Sequence, residues 1–238
     1  MTGRLFLVPA WLSDAAPVEA ALPARALAEI RRLERFIVED ARSARRFLAA
    51  CGHPRPMREL AFEELNEHTK ADAVPALLAP LVEGADAGLL SEAGLPAVAD
   101  PGARLVAAAH ARGIAVIPLV GPSSIVLALM ASGLEGQRFR FHGYLPAEAP
   151  ARRARLPELE REAARADETQ IFIETPYRND ALLADILATC RGATRLAVAA
   201  DLTAPTEWIR MDTVDGWKAR PSPPIGKRPA IFLVHASA

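Results

Sequence analysis

The sequence predicts an α/β protein of two domains, the first built on a mostly parallel sheet and the second on a mixed sheet. Over residues 1–118, apolar strand-like runs alternate with helix-like segments through short connections, which is typical of parallel strands joined by helices. After residue 169, four strand-like segments share one clear helix, which favours antiparallel or mixed pairing. Because 51% of the 238 residues are hydrophobic, two cores are possible, and we assign the domains to 1–118 and 119–238.

Short apolar runs and helical spacing define the elements of the first domain. The predicted strands are 4–8, 36–39, 57–65, 87–91 and 114–120. The predicted helices are 20–33, 41–50, 74–82 and 101–112. Gly52 and Gly113 end two of these helices, because glycine adopts left-handed backbone without strain. Asp100 is the predicted N-cap of the last helix, with Pro101 at its first position.

The second domain begins with a tight turn into an apolar helix, GPSSIVLALMASG (121–133). The predicted strands are 138–145, 170–175, 195–201, 207–211 and 230–236. A helix capped by Asn179 is predicted at 180–190. Residues 146–168 form a charged, alanine-rich segment whose helix we expect to be solvated. Its charged side chains form a solvated face or, alternatively, touch phosphates: Arg152, Arg153, Arg155, Glu158, Glu160 and Glu162.

The charge balance excludes a strong long-range attraction to polyanions. Twenty-eight basic residues face twenty-nine acidic ones, so any contact with RNA has to be a local patch. Two cysteines, Cys51 and Cys190, are too few for a disulfide framework or a zinc site, and we expect reduced structural thiols in a cytoplasmic protein. No signal peptide or membrane-spanning apolar run is present, so a soluble protein without a membrane partner is expected.

Several familiar chemistries lack their motifs in this chain. No G-x-G-x-x-G follows a strand, and no G-x-x-x-x-G-K-[ST] is present, so dinucleotide binding and ordinary nucleotide hydrolysis are not indicated. H-E-x-x-H and C-x-x-C are also absent. GPSSI (121–125) departs from the G-x-S-x-G nucleophile elbow, and no histidine and aspartate partners stand out for Ser123 or Ser124.

A long loop at the end of a predicted strand is the most informative feature. SEAGLPAVADPG (91–102) is longer than the two to six residues that a connection in an α/β unit needs. It contains two glycines, two prolines and two carboxylates between an apolar strand and a helix. Because ligands of open parallel sheets bind at the carboxyl ends of the strands, this loop is a candidate binding element.

Six segments in chain order resemble motifs of the tetrapyrrole-methylase superfamily of S-adenosylmethionine (SAM)-dependent methyltransferases. They are LVPAWL (7–12), SEAGLPAVADPG (91–102), VGPSSI (120–125), FIETPYR (172–178), AADLT (199–203) and RPAIFLV (228–234). EDAR (39–42) is similar to the E-D-T-R of the branch that methylates a ribose 2′-oxygen in small-subunit ribosomal RNA. The resemblance covers essentially the whole chain and is closest to this branch.

The resemblance implies two α/β domains with SAM in the cleft between them, and a homodimer. It assigns the loop of 91–102 to the methionine part of SAM, the serines at 123 and 124 to a polar end of it, and strand ends of the second domain to adenine and ribose. The implied cofactor-binding residues are Pro9, Leu12, Gly94, Leu95, Pro96, Val98, Ser123, Ser124, Ile173, Asp201, Leu202 and Ala230. Alternatively, the glycines are turn residues only and the serines are ordinary helix caps.

In methyl transfer from a sulfonium, the main task of the enzyme is to align the acceptor oxygen, the methyl group and the sulfur, and the reaction requires no metal. A hydroxyl acceptor benefits from a general base or a positioning acceptor, for which Glu92 and Asp40 are candidates. Arg42 and Arg178 are candidates to steer an anionic substrate. Glu174 and Arg178 are either a surface ion pair or, since the carboxylate ends a buried strand, part of a site.

Three functions follow from the resemblance. The first is SAM-dependent methylation of an RNA ribose 2′-hydroxyl, with ribosomal RNA or the small ribosomal subunit as partner. The second is methylation of a tetrapyrrole or another small molecule, which the near-neutral charge also suits. The third is a regulatory protein that binds SAM and transfers nothing.

Overall fold

The computed structural model describes residues 2–220 and 224–237. The chain forms two compact units, Met1–Ser123 and Ser124–Ala238, which we call unit 1 and unit 2. Unit 1 contains a five-stranded parallel sheet and unit 2 a five-stranded mixed sheet, which confirms the predicted fold class. Within the described residues, no helix is long and apolar enough to cross a membrane.

The sheet of unit 1 has the strand order β3-β2-β4-β1-β5, and every pair is parallel. Its strands are β1 (Arg4–Val8), β2 (Arg35–Val38), β3 (Ala61–Glu64), β4 (Ala87–Leu90) and β5 (Ala115–Pro118). The strand β1 pairs with both β4 and β5, so that Phe6 lies between Gly88 and Ile117. All five predicted strands exist, although the one predicted at 57–65 is shorter because Met57–Glu59 forms a 3-10 turn.

Helices cover both faces of this sheet, as expected for parallel strands joined by crossovers. They are α1 (Ala24–Arg32), α2 (Ala41–Ala50), α3 (Val74–Val82) and α4 (Gly102–Ala111). Phe6 and Val8 pack in one core cluster with residues of α1 and α2, whereas Leu5 points into the opposite cluster with residues of α3 and α4. The strands therefore supply apolar side chains to two cores.

The predicted start of the first helix is wrong. Val18–Ala20 forms a 3-10 turn, and α1 begins only at Ala24, after Pro23 in extended backbone. Proline lacks an N–H, and its ring disfavours helical backbone in the preceding residue, so the helical spacing before Pro23 does not continue into α1.

The sheet of unit 2 has the strand order β6-β7-β10-β8-β9. Its strands are β6 (Phe139–Tyr144), β7 (Thr169–Ile173), β8 (Arg195–Ala200), β9 (Trp208–Thr213) and β10 (Ala230–His235). The pair β6–β7 is parallel, and the other pairs are antiparallel. The connection between β6 and β7 carries α6 and is long enough for a parallel crossover, whereas the short loop of 201–207 joins β8 and β9 as antiparallel neighbours.

The described residues of unit 2 include four helices, and one of them was not predicted. They are α5 (Ser124–Ser132), α6 (Ala149–Ala166), α7 (Asn179–Thr189) and α8 (Val214–Ala219). The short helix α8 was missed, although Thr213 caps it by accepting a hydrogen bond from the Gly216 N–H. The prediction of Asn179 as a cap is wrong, because its buried Nδ2 donates instead to the carbonyls of Gly226 and Arg228.

The two cysteines are buried and unbonded, which confirms the prediction of structural thiols. Burial raises the pKa of Cys51 and of Cys190 to about 12. Neither side chain is therefore a nucleophile at neutral pH.

The predicted solvated face of α6 is wrong at two positions. Arg152 and Glu160 are each only 4% exposed. Arg152 pairs with the buried Asp185 of α7 at 2.6 Å, and Asp185 also accepts from Arg153. Glu160 accepts from the Arg191 N–H at 2.8 Å and from the Thr194 hydroxyl. Local charge patterning could not show this, because the partners are 31 to 34 residues away in sequence.

The remaining charged residues of the predicted face behave differently. Arg155 pairs with Glu158 and Glu162, and the Arg153 side chain is 59% exposed. The α6 helix thus has buried charged residues that pair with α7 and with the segment that follows it, and other charged residues that face solvent.

The buried ion pair predicts an asymmetry between two neighbouring arginines. Arg152→Ala leaves Asp185 buried without its main partner and is expected to lower the free energy of unfolding by about 3 kcal/mol or more. Arg153→Ala removes an exposed partner of the same carboxylate, for which a loss below about 1 kcal/mol is expected. Urea unfolding of both variants measures the difference, and equal losses would contradict the assignment.

Candidate functional site

The parallel sheet of unit 1 gathers four strand ends at one edge. The loops after β1, β2, β4 and β5 all leave the sheet there, because parallel strands end on the same side. Backbone contacts tie them together: the Ala10 N–H donates to the Gly94 carbonyl at 2.8 Å and the Glu39 N–H to the Leu90 carbonyl at 3.2 Å. The motif loops predicted from the sequence therefore lie side by side.

The loop of 91–102 has a strained backbone. Gly94, Ala97 and Ala99 adopt left-handed φ values of 72°, 65° and 64°. For each alanine this conformation costs about 1–2 kcal/mol, so the surroundings have to enforce it. Asp100 does so, because its carboxylate accepts from the N–H groups of Ala97 at 2.9 Å and Gly102 at 2.7 Å.

The predicted role of Asp100 needs a small correction. The helix α4 begins at Gly102, so Pro101 precedes it instead of occupying its first position. The Asp100 side chain still binds the N–H of the first helical residue, but it also reaches back to Ala97. The Asp100 side chain therefore links the middle of the loop to the first residue of α4.

Several predicted cofactor residues of unit 1 are neighbours. A Cβ on Gly94 would lie 3.4 Å from Leu12 and 3.7 Å from the Pro122 carbonyl, and Gly121 abuts Pro9 so closely that a Cβ there would overlap with its ring. Pro9 and Pro96 are buried, whereas Leu12, Leu95 and Ser123 are half-buried. Val98 is 46% exposed.

The carboxylates at this edge differ in their surroundings. Asp40, at the start of α2, accepts from the Ser43 N–H at 2.6 Å, and this hydrogen bond lowers the pKa of Asp40. Glu92 is exposed, and its N–H donates to Glu39 at 3.3 Å. Arg42 is exposed in the first turn of α2.

Glu39 is a candidate site residue that the sequence reasoning missed. It directly follows β2 and is half-buried. Burial raises the pKa of Glu39, and the nearby charges of Glu92 and Asp100 raise it further. The available signal was its position as the first residue after the strand, within the EDAR segment that the resemblance includes.

The strand ends of unit 2 converge in the same way. Ile173 at the end of β7 is in register with Ile231 of β10, and Ala230 is in register with Ala200 at the end of β8. The Asp201 N–H donates to the Pro229 carbonyl at 3.0 Å. One edge of this sheet therefore collects the predicted adenine and ribose residues, which are Ile173, Asp201, Leu202 and Ala230.

The loop after β8 is strained like the loop after β4. Asp201 and Thr203 have left-handed φ values of 53° and 68°. Apart from Asp167, the non-glycine residues with positive φ in the described parts of the chain all lie in these two loops. Because backbone strain clusters at ligand sites, both loops are candidate binding elements.

The loop after β7 contains a buried carboxylate. Glu174 is 5% exposed, and its Oε1 accepts from the Arg178 guanidinium at 2.6 Å and from the Thr175 N–H. Its Oε2 is buried without a hydrogen-bond partner among the described residues. The sequence allowed Glu174 and Arg178 to be either a surface ion pair or part of a site. A surface ion pair does not fit the burial of Glu174, although the Arg178 side chain is 34% exposed.

The serine pair at the junction of the units takes helix-start positions. Ser124 is the first residue of α5, and Ser123 directly precedes it. Both are half-buried. N–H groups in the first turn of a helix have no partner within the helix, so this terminus can bind a polar or anionic group.

A cavity at the opposite edge of the unit 1 sheet has a different character. Its volume is about 380 Å³, and it lies at the amino ends of β2, β3 and β4. Burial opposes ionisation there, but hydrogen bonds from Arg4 and Arg32 lower the pKa of Asp86 to about 2. None of the predicted site residues lines it; the lining is Arg32, Leu33, Glu34, Arg35, Glu59, Ala61, Ala85 and Asp86.

The comparison with known families agrees with the motif series. The family model described as Tetrapyrrole (Corrin/Porphyrin) Methylases matches residues 19–215. The chain belongs to this family. Among solved structures, this chain is similar to that of the methyltransferase CobJ, with a TM-score of 0.64 and 18% sequence identity. The match covers 98% of this chain and 94% of the CobJ chain. At this identity the likeness shows the fold.

Curated relatives are more similar in sequence. The chain is 42% identical over 179 residues to the ribosomal RNA small subunit methyltransferase I of Xylella fastidiosa (strain Temecula1), covering 75% of this chain and 62% of that protein. It is 36% identical over 186 residues to the protein of the same name from Pseudomonas aeruginosa, covering 78% and 63%. The tetrapyrrole methylase chain thus spans less than two thirds of the length of these two relatives.

Proposed function

We propose that this chain is a SAM-dependent methyltransferase that modifies a ribose 2′-hydroxyl of small-subunit ribosomal RNA. The observation that carries the proposal is the concentration of left-handed, non-glycine residues in two loops at strand ends, both of which the resemblance assigns to SAM. Relatives named as ribosomal RNA small subunit methyltransferases, at 42% and 36% identity, support RNA as the acceptor.

The residues in these loops fit a methionine nucleoside. In unit 1, the small residues Gly94, Ala97 and Ala99 allow backbone N–H and C=O groups to approach a ligand, while the exposed Val98 offers apolar contact. Leu12, Leu95 and Pro96 would complete the contact with the methionine part, and Ser123 and Ser124 would hold its polar end. This division of roles rests on the resemblance.

In unit 2, the same edge of the sheet offers both apolar and polar groups. Ile173, Leu202 and Ala230 would pack on adenine, since their side chains are apolar and lie at adjoining strand ends. Asp201 would accept a hydrogen bond from the ribose, because a carboxylate in a fixed backbone conformation is a directional acceptor for hydroxyl groups.

The chain's own groups then have to prepare the acceptor hydroxyl. When bound, SAM supplies an electrophilic methyl group on a positively charged sulfur. Glu39 would accept the proton of the hydroxyl, since its raised pKa makes it a better base than Asp40, which caps α2 and has a lowered pKa. Glu92 would act as a second acceptor beside it, and Arg42 and Arg178 would orient the anionic backbone of the acceptor.

Substitution of the carboxylates separates the candidate bases. Glu39→Gln is expected to lower kcat about a hundredfold or more, because proton acceptance is lost, and to leave the Kd for SAM unchanged. Asp40→Asn and Glu92→Gln are the matched controls, with losses of about tenfold or less expected. In the wild type, kcat should rise with pH through the raised pKa of Glu39, since only the deprotonated carboxylate is a base.

Two results would contradict this assignment. One is a Glu39→Gln variant with wild-type kcat. The other is an equal loss of kcat in Glu92→Gln, which would move the role of base to Glu92 as the sequence prediction has it.

Methyl transfer from tritiated SAM tests the activity itself. We expect calorimetry to detect binding of SAM and of S-adenosylhomocysteine, and tritium to appear in small-subunit ribosomal RNA. Label in a tetrapyrrole or another small molecule, with none in RNA, would show that the methyl acceptor is a small molecule. Tight SAM binding without transfer to either would favour a regulatory protein, and absence of SAM binding would contradict the proposal. The homodimer stays a prediction from the resemblance.

A further inference from the structure

One surface of unit 2 combines an exposed aromatic ring with three cations. Tyr177 lies in the 3-10 turn Pro176–Arg178 after β7, and its side chain is 79% exposed. The Lys227 ammonium lies 4.9 Å from the centroid of the Tyr177 ring. Arg178 and Arg228 flank these two residues in sequence, and we call the four residues the Tyr177 surface.

Two polar side chains at the start of α7, those of Asn179 and Asp180, bind the backbone of the segment 225–228, which contains Lys227. Asp180 accepts from the N–H groups of Ile225 at 2.7 Å and Gly226 at 3.1 Å. The buried Asn179 donates to the carbonyls of Gly226 at 3.0 Å and Arg228 at 2.8 Å. The turn of 176–178 and the segment of 225–228 are therefore fixed to the same helix end, so the surface is built in advance of any ligand.

The two arginines are anchored as well. The Arg178 guanidinium donates twice to the buried Glu174, at 2.9 and 2.6 Å. Arg228 donates from Nε to the Ile225 carbonyl at 2.9 Å, and its guanidinium carbon lies 5.5 Å from the Trp208 ring centroid. Within the surface, the Glu174 carboxylate is buried and that of Asp180 is bound to backbone N–H groups. Lys227 is exposed, whereas Arg178 and Arg228 are half-buried and reach solvent in part.

We propose that the Tyr177 surface binds single-stranded RNA, with a base stacked on Tyr177 and phosphates on Lys227, Arg178 and Arg228. Exposed rings interleaved with cations are the chemistry that unpaired nucleotides require. Because the net charge of the chain is −1, RNA has to be bound by a local patch of positive charge. The Tyr177 surface adjoins Ile173 and Ala230, at the edge of the unit 2 sheet that gathers the proposed SAM residues. The inference rests on the proposed function, because it names the surface that receives the acceptor.

Fluorescence anisotropy with a labelled single-stranded oligoribonucleotide of about twelve nucleotides tests the proposal in the full chain. Tyr177→Ala is expected to weaken binding about tenfold, since stacking is lost. Tyr177→Phe keeps the ring and should bind within about twofold of the wild type. Lys227→Ala should lower the slope of log K against log salt by about 0.7, because one phosphate contact disappears.

Matched controls are available elsewhere in the chain. Tyr144→Ala removes another exposed tyrosine, and Lys218→Ala removes another exposed lysine. Neither should change RNA affinity, and calorimetry should give the wild-type Kd for SAM in all five variants. If the proposed function is wrong, the chain does not bind SAM. If only this inference is wrong, SAM binding is normal and the RNA titration alone departs from the expected result.

Four outcomes would overturn the Tyr177 surface as an RNA site. The wild-type chain could bind no single-stranded RNA, or Tyr177→Ala and Lys227→Ala could bind it as the wild type does. Equal losses in Tyr144→Ala and Lys218→Ala would show non-specific binding over the whole surface. A wild-type RNA affinity in Tyr177→Ala with loss of a protein–protein association would assign the surface to a protein partner instead.

Discussion

The parallel pairing of β1 with both β4 and β5 is the constraint on which unit 1 depends. Pairing in this direction sends the chain out of the sheet at one edge after each strand, and four loops meet there as a result. A reversed strand would move its loop to the opposite edge, where the charged cavity around Asp86 lies. The direction of strand pairing therefore decides which loops, and so which residues, can lie close enough to form a site.

Strain in two loops is the second feature that the site depends on. Ala97 and Ala99 both adopt left-handed backbone, and the Asp100 carboxylate fixes this part of the loop by accepting from the N–H groups of Ala97 and Gly102. Asp201 and Thr203 show the same conformation in unit 2. Glycine would be the relaxed choice at such positions, so the presence of other residues there indicates that something besides stability keeps the loops in this shape.

Much of the fold could be predicted because local patterns determine it. The helix at 41–50 and the strand at 4–8 have their predicted bounds, since apolar spacing and the neighbouring Asp40 and Gly52 fix them locally. The start of α1 was wrong because Pro23 outweighs helical spacing. The burial of Arg152 could not be predicted, because it depends on Asp185 of another helix.

For the candidate site, the sequence could indicate the loops but not their local geometry or electrostatics. Motif order identified the loops, and the pairing of strand ends brings the predicted residues of each unit to one edge of its sheet. The shifted pKa of Glu39 was beyond the sequence, because it arises from burial and from Glu92 and Asp100, which follow a different strand. Left-handed backbone at two alanines was also unpredictable, since alanine itself disfavours it.

Hydrogen–deuterium exchange with and without S-adenosylhomocysteine tests the central claim that the strained loops hold the cofactor. The account predicts added protection of backbone amides at 94–99 and at 200–204, and none at the charged cavity around Arg32 and Asp86. Binding without protection in either loop, or protection confined to the charged cavity, would contradict it.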